Sequence, residues 1–185
     1  MSQPVNVEVR RSGRRFDAEA LLDLPADEQT VWQSITDYGA LPRFMPGIRA
    51  CRVVERTTLA NADERLLVEQ HGEFRFLVFA QAMTVLLNIE HRSQRVAEAK
   101  ARSVDFGPLR PNPIDVFEGR YELMPQASRG GAARVKLRYT AAIGLRLPPP
   151  PAIGHAAVRQ NLTVQLQALA GEVVRRGSEA KPRKR

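Results

Sequence analysis

The chain holds one cysteine, Cys51, so it can form no internal disulfide and no thiolate metal cluster. A lone Cys in a strand-like stretch reads as a small buried hydrophobe rather than a nucleophile. Only three histidines occur, His71, His91 and His155. None has a motif around it, and the His-x-x-x-His spacing of a zinc helix is missing. Gly-x-Ser-x-Gly does not occur, and no Ser/His/carboxylate arrangement can be read from the order of the residues. A phosphate-cradling glycine loop is absent as well. No apolar run approaches a membrane span, and the opening MSQPVNVEVRRSGRR lacks the apolar core of a signal peptide. These absences predict a soluble, cytoplasmic protein with no metal and no cofactor. They favour a binding protein over an enzyme.

Acid is in short supply overall, with 28 basic residues against 20 acidic ones and a formal charge of +8. The excess is local. Arg10, Arg11, Arg14 and Arg15 lie near one end, and Arg175, Arg176, Lys181, Arg183, Lys184 and Arg185 near the other. Setting aside residues 10–15 and 175–185 leaves 18 basic residues against 19 acidic ones, so the body is close to neutral. Residues 1–15 therefore read as a flexible basic arm and 177–185 as a basic disordered tail, flanking one domain over 16–176. Such ends are either solvated or dock on anionic membrane or RNA. Composition does not choose between these.

What is present is one long amphipathic helix and a series of strands. From 152 to 176, Val158, Leu162, Leu166, Leu169 and Val173 recur every three or four residues. That predicts a helix about 37 Å long at about 1.5 Å per residue. Pro148 to Pro151 precede it, and the last of them can open it. Upstream, 15–24 reads as a strand. Pro25-Ala26-Asp27-Glu28 then starts a helix carrying Val31, Trp32 and Ile35, and Asp37 is placed to cap a second, short helix. Strands follow at 48–56, 66–72, 96–104, 115–124 and 135–143. The apolar run 74–89 reads as one long, bent strand. Turns fall at 61–64, 90–94 and 128–131, and 106–113 is a proline-rich loop. Within 96–104, Ala97, Ala99 and Ala101 share one face, and small inward side chains leave room. The plan is α+β: a curved antiparallel sheet of about six to seven strands, two short helices after the first strand, and a long C-terminal helix that the sheet wraps.

The stretch Asp23-Leu24-Pro25-Ala26-Asp27 through Val31-Trp32 is followed by Thr36-Asp37-Tyr38, Leu41-Pro42, Phe44-Met45-Pro46-Gly47-Ile48 and Val53-Val54-Glu55. This opening resembles that of START-like (SRPBCC, helix-grip) proteins, nearest to the polyketide cyclase/dehydrase and coenzyme-Q-binding lipid-transport type. Val68-Glu69-Gln70-His71-Gly72 and the run from Phe117 to Pro125 add to the likeness, as does Pro149-Pro150 before the last helix. The resemblance spans 16–175. It implies a hydrophobic cavity between sheet and C-terminal helix. It does not imply one reaction, because members carry lipids and quinones, bind hormones or cyclise polyketides. The 106–113 loop replaces a shorter turn of many relatives, and the basic tail lies outside the family's core pattern.

On this reading the partner is a hydrophobic small molecule. The expected wall is Leu66, Val68, Phe76, Val78, Phe117, Tyr121, Leu137, Tyr139, Leu162, Leu166 and Leu169. The expected gate is the 106–113 loop with the start of the last helix. The best polar pair is Glu69 and His71, which alternate on one strand and share a side. They are the weak catalytic candidates if that side faces the cavity, and part of a solvated strand face if Leu66, Val68 and Gln70 point inward. Arg120, with Glu118 and Glu122 on its face, reads as an exterior ion-pair ladder. A polyketide cyclase or dehydratase is the enzymatic alternative; docking on RNA or anionic membrane through the basic ends is the third.

Overall fold

The computed structural model describes residues 5–76, 79–108, 110, 112–126, 133–146 and 151–179. Strands β1 (Val7–Ser12) and β2 (Arg15–Leu24) form a hairpin. Helix α1 (Glu28–Thr36), a 3-10 turn (Tyr38–Ala40) and the short α2 (Leu41–Phe44) follow. Six more strands come next: β3 (Ile48–Thr58), β4 (Glu64–Phe76), β5 (Phe79–Arg92), β6 (Val96–Asp105), β7 (Ile114–Pro125) and β8 (Val135–Leu145). Helix α3 (Pro151–Glu179) closes the described fold. All eight strands form one antiparallel sheet in the order β1-β2-β8-β7-β6-β5-β4-β3. Among the described residues, no helix is long and apolar enough to cross a membrane.

The period-2 pattern decides which face is inside. On β2, Phe16, Ala18, Ala20, Leu22 and Leu24 are buried, while Arg15, Glu19 and Leu21 are exposed. Helix α3 packs on β1, β2, α1 and α2. Its stripe of Val158, Leu162, Leu166, Leu169 and Val173 is buried throughout, as the spacing predicts. At the start of α1, Asp27 Oδ1 accepts a hydrogen bond from the Thr30 amide at 2.7 Å, a regular N-cap.

Five expectations need correction. Residues 7–12 are not a free arm. Val7 and Val9 are buried, and Glu8 and Arg10 face out, so the segment is a strand. Gly13 takes a φ of +59° in the two-residue turn that folds it back on β2. The basic residues there are engaged: Arg15 pairs with Asp17, Arg10 with Glu8, and Arg11 Nε donates to the Gly13 carbonyl. At the other end, 177–179 continue α3, and 180–185 lie outside the described residues.

The run 74–89 is likewise two strands rather than one: β4 ends at Phe76, β5 begins at Phe79, and the two positions pair. Continuous apolar character hid the division into two strands, because the sequence is apolar on both sides of it. With β1 included, the sheet has eight strands. Finally, Asp37 makes no side-chain cap to the 3-10 turn; its Oδ2 accepts from Arg176 of α3 at 3.0 Å.

Candidate functional site

A cavity of about 210 Å³ lies between the sheet and α3. A single water needs only about 10–15 Å³ by this measure, so the space exceeds any packing defect. Leu87 and Ile89 of β5, Ala97 and Ala99 of β6, Phe117, Gly119 and Tyr121 of β7, and Tyr139, Ala141, Ile143 and Leu145 of β8 form the sheet side. Ala157, Val158, Leu162 and Leu169 of α3 cover it. Ile35, Tyr38, Leu41 and Met45 close the end beside α1 and α2, and Gln70, Glu73, Asn161 and Gln165 add polar groups.

The void has a simple cause. Ala99, Gly119 and Ala141 stand in register on three neighbouring strands, all on the inner face. None of these three side chains reaches towards the helix, and Ile89, next on the same rung, borders the space they leave. Away from these three positions large residues meet: Leu137 pairs with Leu123 and with Leu22 on other rungs, Val68 with Leu87, and Leu66 with Ile89 further along the same rung. Leu66, Val68, Leu137 and Leu166 therefore belong to the packed core and do not line the cavity. Phe117, Tyr121, Tyr139, Leu162 and Leu169 do line it. The Phe76 side chain and Val78 lie outside the described residues. The expected gate also differs. Ala157 and Val158 of the last helix contribute, but no described residue of 106–113 lines the space, and Phe106 is buried in the core.

Glu69 and His71 point away from the cavity. Gln70 lines it from the same strand, and Leu66 and Val68 are buried, so the odd-numbered neighbours face out. His71 Nε2 lies 3.0 Å from Glu69 Oε1, Nδ1 lies 3.0 Å from Thr84 Oγ1, and Arg52 donates to Glu69 at 2.8 Å. The bond from Arg52, with that from His71, holds the Glu69 carboxyl below its ordinary range. This is an exterior ion-pair cluster. Arg120 belongs to another, with Glu98 at 3.4 Å and Glu122 at 3.7 Å. Cys51 is half-buried, and burial pushes its thiol up to about 11, so it stays protonated at neutral pH.

A polar network that the sequence reading passed over sits at the cavity's α1 end. The Tyr38 hydroxyl is 2.7 Å from His91 Nε2, and His91 Nδ1 is 3.1 Å from Glu64 Oε2. Arg56 donates to Glu64 Oε1 at 2.6 Å. Glu64, as a carboxylate, can only accept, so Nδ1 carries the proton and Nε2 accepts from the Tyr38 O–H. Tyr38 and His91 are both buried. Burial lowers the His91 pKa against the pull of Glu64, which keeps the ring neutral near pH 7. Burial also opposes the Glu64 charge, but the bonds from His91 and Arg56 outweigh it and leave the carboxyl below its ordinary value. Trp32 packs edge-on against the His91 ring at 5.1 Å, and Tyr38 stacks on it at 5.9 Å.

One rung of the sheet carries Glu64, His91, Ala97, Tyr121 and Tyr139 in register across five strands. The chain has three tyrosines, and all three line the cavity. The Tyr121 and Tyr139 rings lie 4.7 Å apart, and burial raises both hydroxyl pKa values, Tyr139 to about 12. Three neutral phenols thus stand at one end of an apolar space. The signal for His91 was available: Leu87, Ile89 and His91 alternate, so extending β5 through the expected turn at 90–94 puts His91 inside.

Several solved structures share this fold. A START superfamily protein from Mycobacterium smegmatis is 16% identical, with a TM-score of 0.67 over 86% of this chain and 97% of that one. A STAR-related lipid transfer protein from Xanthomonas axonopodis is 16% identical, with a TM-score of 0.64 over 94% and 96%. An aromatase/cyclase from a Streptomyces species is 17% identical, with a TM-score of 0.63 over 88% and 95%. No curated protein matches the sequence significantly. The family profile described as polyketide cyclase/dehydrase and lipid transport matches residues 24–170, which takes in every element from the end of β2 to most of α3. The chain belongs to that family.

Proposed function

We propose that this protein binds a hydrophobic small molecule in the cavity beneath α3. A lipid tail, an isoprenoid quinone or a polyketide-like aromatic suits the space. The observation that carries this reading is the row Ala99–Gly119–Ala141, whose small side chains leave an apolar void between sheet and helix. An apolar guest gains about 25 cal/mol for each Å² it hides there. The phenols of Tyr38, Tyr121 and Tyr139 would meet a carbonyl or hydroxyl oxygen at one end and so fix its orientation. Family membership supports the reading, and so does the likeness to a lipid transfer protein.

Native mass spectrometry of protein purified from cells, with solvent extraction of the same sample, tests it. A co-purified apolar compound is expected at near-stoichiometric occupancy. Empty protein in every preparation, with no uptake of fatty acids, quinones or fused-ring aromatics, would remove the proposal. Polyketide cyclase-like chemistry in the same cavity is the second reading. What favours it is the polar Tyr38–His91–Glu64 end, which passive carriage of a fully apolar guest does not need.

A further inference from the structure

We propose that Tyr38, His91 and Glu64 form a proton relay opening onto the cavity, and that its ligand carries an acidic hydroxyl, phenolic or enolic, whose proton the relay accepts. This rests on the reading of the cavity as a ligand site. The geometry runs in one direction. Tyr38 lines the cavity and donates to His91 Nε2 at 2.7 Å; His91 Nδ1 donates to Glu64 at 3.1 Å; Glu64 is held by Arg56 at 2.6 Å. The Arg56 side chain is about half exposed and that of Glu64 a quarter exposed, so the chain leads from a buried cavity wall to the solvent. A histidine buried only for packing needs partners for its two nitrogens. It does not need one partner on a ligand cavity and the other on an ion pair at the surface.

The step balances as two linked proton transfers. The ligand O–H gives its proton to Tyr38 Oη while the Tyr38 O–H bond breaks and its proton moves to His91 Nε2. The products are a ligand oxyanion, a neutral Tyr38 and an imidazolium at His91, with Glu64 unchanged as its counter-ion. Reversal returns the proton. No oxidant or co-reactant is consumed. The new anion would lie near the Tyr121 and Tyr139 hydroxyls, which line the same end of the cavity and can donate to an oxyanion. The charged and titratable groups around the relay are Glu64 and Arg56 beside His91, with Cys51 adding to those two beside Tyr38; Trp32 covers the ring. Arg56 opposes the imidazolium and Glu64 favours it. Burial disfavours a charged His91, so the transferred proton is held by the Glu64 ion pair together with the ligand oxyanion beside Tyr38.

The probe is 4-nitrophenol, whose ionised form is read by its absorbance. It is mixed with the full chain in a buffer about one unit below the probe's own pKa, where roughly a tenth of free probe is ionised. Binding is measured separately by calorimetry. With wild type, most of the bound probe should be ionised, and ¹⁵N NMR should show His91 passing from the neutral Nδ1–H form to imidazolium. Tyr38→Phe and Glu64→Gln should still bind the probe, with the ionised fraction falling about tenfold. Glu64 is partly exposed, so its variant should fold even if a change at Tyr38 disturbs the interior. Bound but protonated probe in wild type, with His91 unchanged, overturns the relay and leaves the ligand site standing. Lack of binding by wild type overturns the assignment of a phenolic or enolic ligand, and the relay falls with it, while the apolar site stands or falls on the extraction test above.

Discussion

Ala99 and Leu166 show how differently two apolar residues act. Ala99 sits beside Gly119 over open space, while Leu166 is 1% exposed within packed core. Filling the space with Ala99→Leu should abolish retention of a co-purified ligand. Stability should change by no more than about 1 kcal/mol, since the added atoms enter a void rather than a packed site. Leu166→Ala should cost about 2–5 kcal/mol in chemical denaturation, because its neighbours cannot collapse into the gap. Glu69→Gln and His71→Ala face the other side of the sheet, so ligand retention should match wild type in the same extraction assay. A loss there would place the pair inside after all.

Helix α3 owes its position to more than its apolar stripe. Near its end Glu172 is buried and accepts from Arg175 at 2.7 Å and from Arg176 at 2.7 Å, and Arg176 also reaches Asp37 at 3.0 Å. The bond from Arg175, aided by that from Arg176, holds the Glu172 carboxyl at about 2. Its unfolded value is about 4.3, so the folded state binds the proton less readily. The resulting stability is fully present above the unfolded value and is lost as pH falls towards the folded one. Thermal unfolding followed from pH 6 down to about 2 should show a steep acid limb. In Glu172→Gln that limb should flatten, and neutral-pH stability should fall by about 1–3 kcal/mol, since a charged, buried hydrogen-bonding group is lost. The helix itself was legible from its repeat. Its tether to the α1 end was not, because Asp37 and Arg176 are 139 residues apart and the obvious local role for Asp37 was a cap.

Across the molecule, β1 marks the clearest gap between reading and structure. Its basic residues looked like tail, yet Val7 and Val9 are buried, β1 packs against α3, and His155 Nε2 donates to the Val9 carbonyl at 2.7 Å. Deleting residues 1–12 should therefore lower stability by about 3–6 kcal/mol, from two buried valines and an exposed β2 edge. A flexible arm would be lost without effect on the denaturation midpoint. The strand alternations, the α1 N-cap and the α3 stripe were all readable, because each depends on neighbours a few residues away. The family resemblance was readable for the same reason: its motifs are local runs. The cavity was legible only in part. Small alanines on β6 announced room, but its shape needed Gly119 and Ala141 brought beside them by strand register. Five of the eleven expected wall residues line the space, and four are core, because a shared inward face does not say which rungs the helix leaves unfilled.

By itself, then, the amino-acid order determined the elements, their inward faces and the class of fold, since periodicity and turn chemistry act over a few residues. Tertiary structure alone decided where the void opens and which polar groups border it. Tyr38, Glu64 and His91 come from a 3-10 turn and two strands, and hydrogen bonds of about 3 Å between them exist only once the sheet has paired and curved.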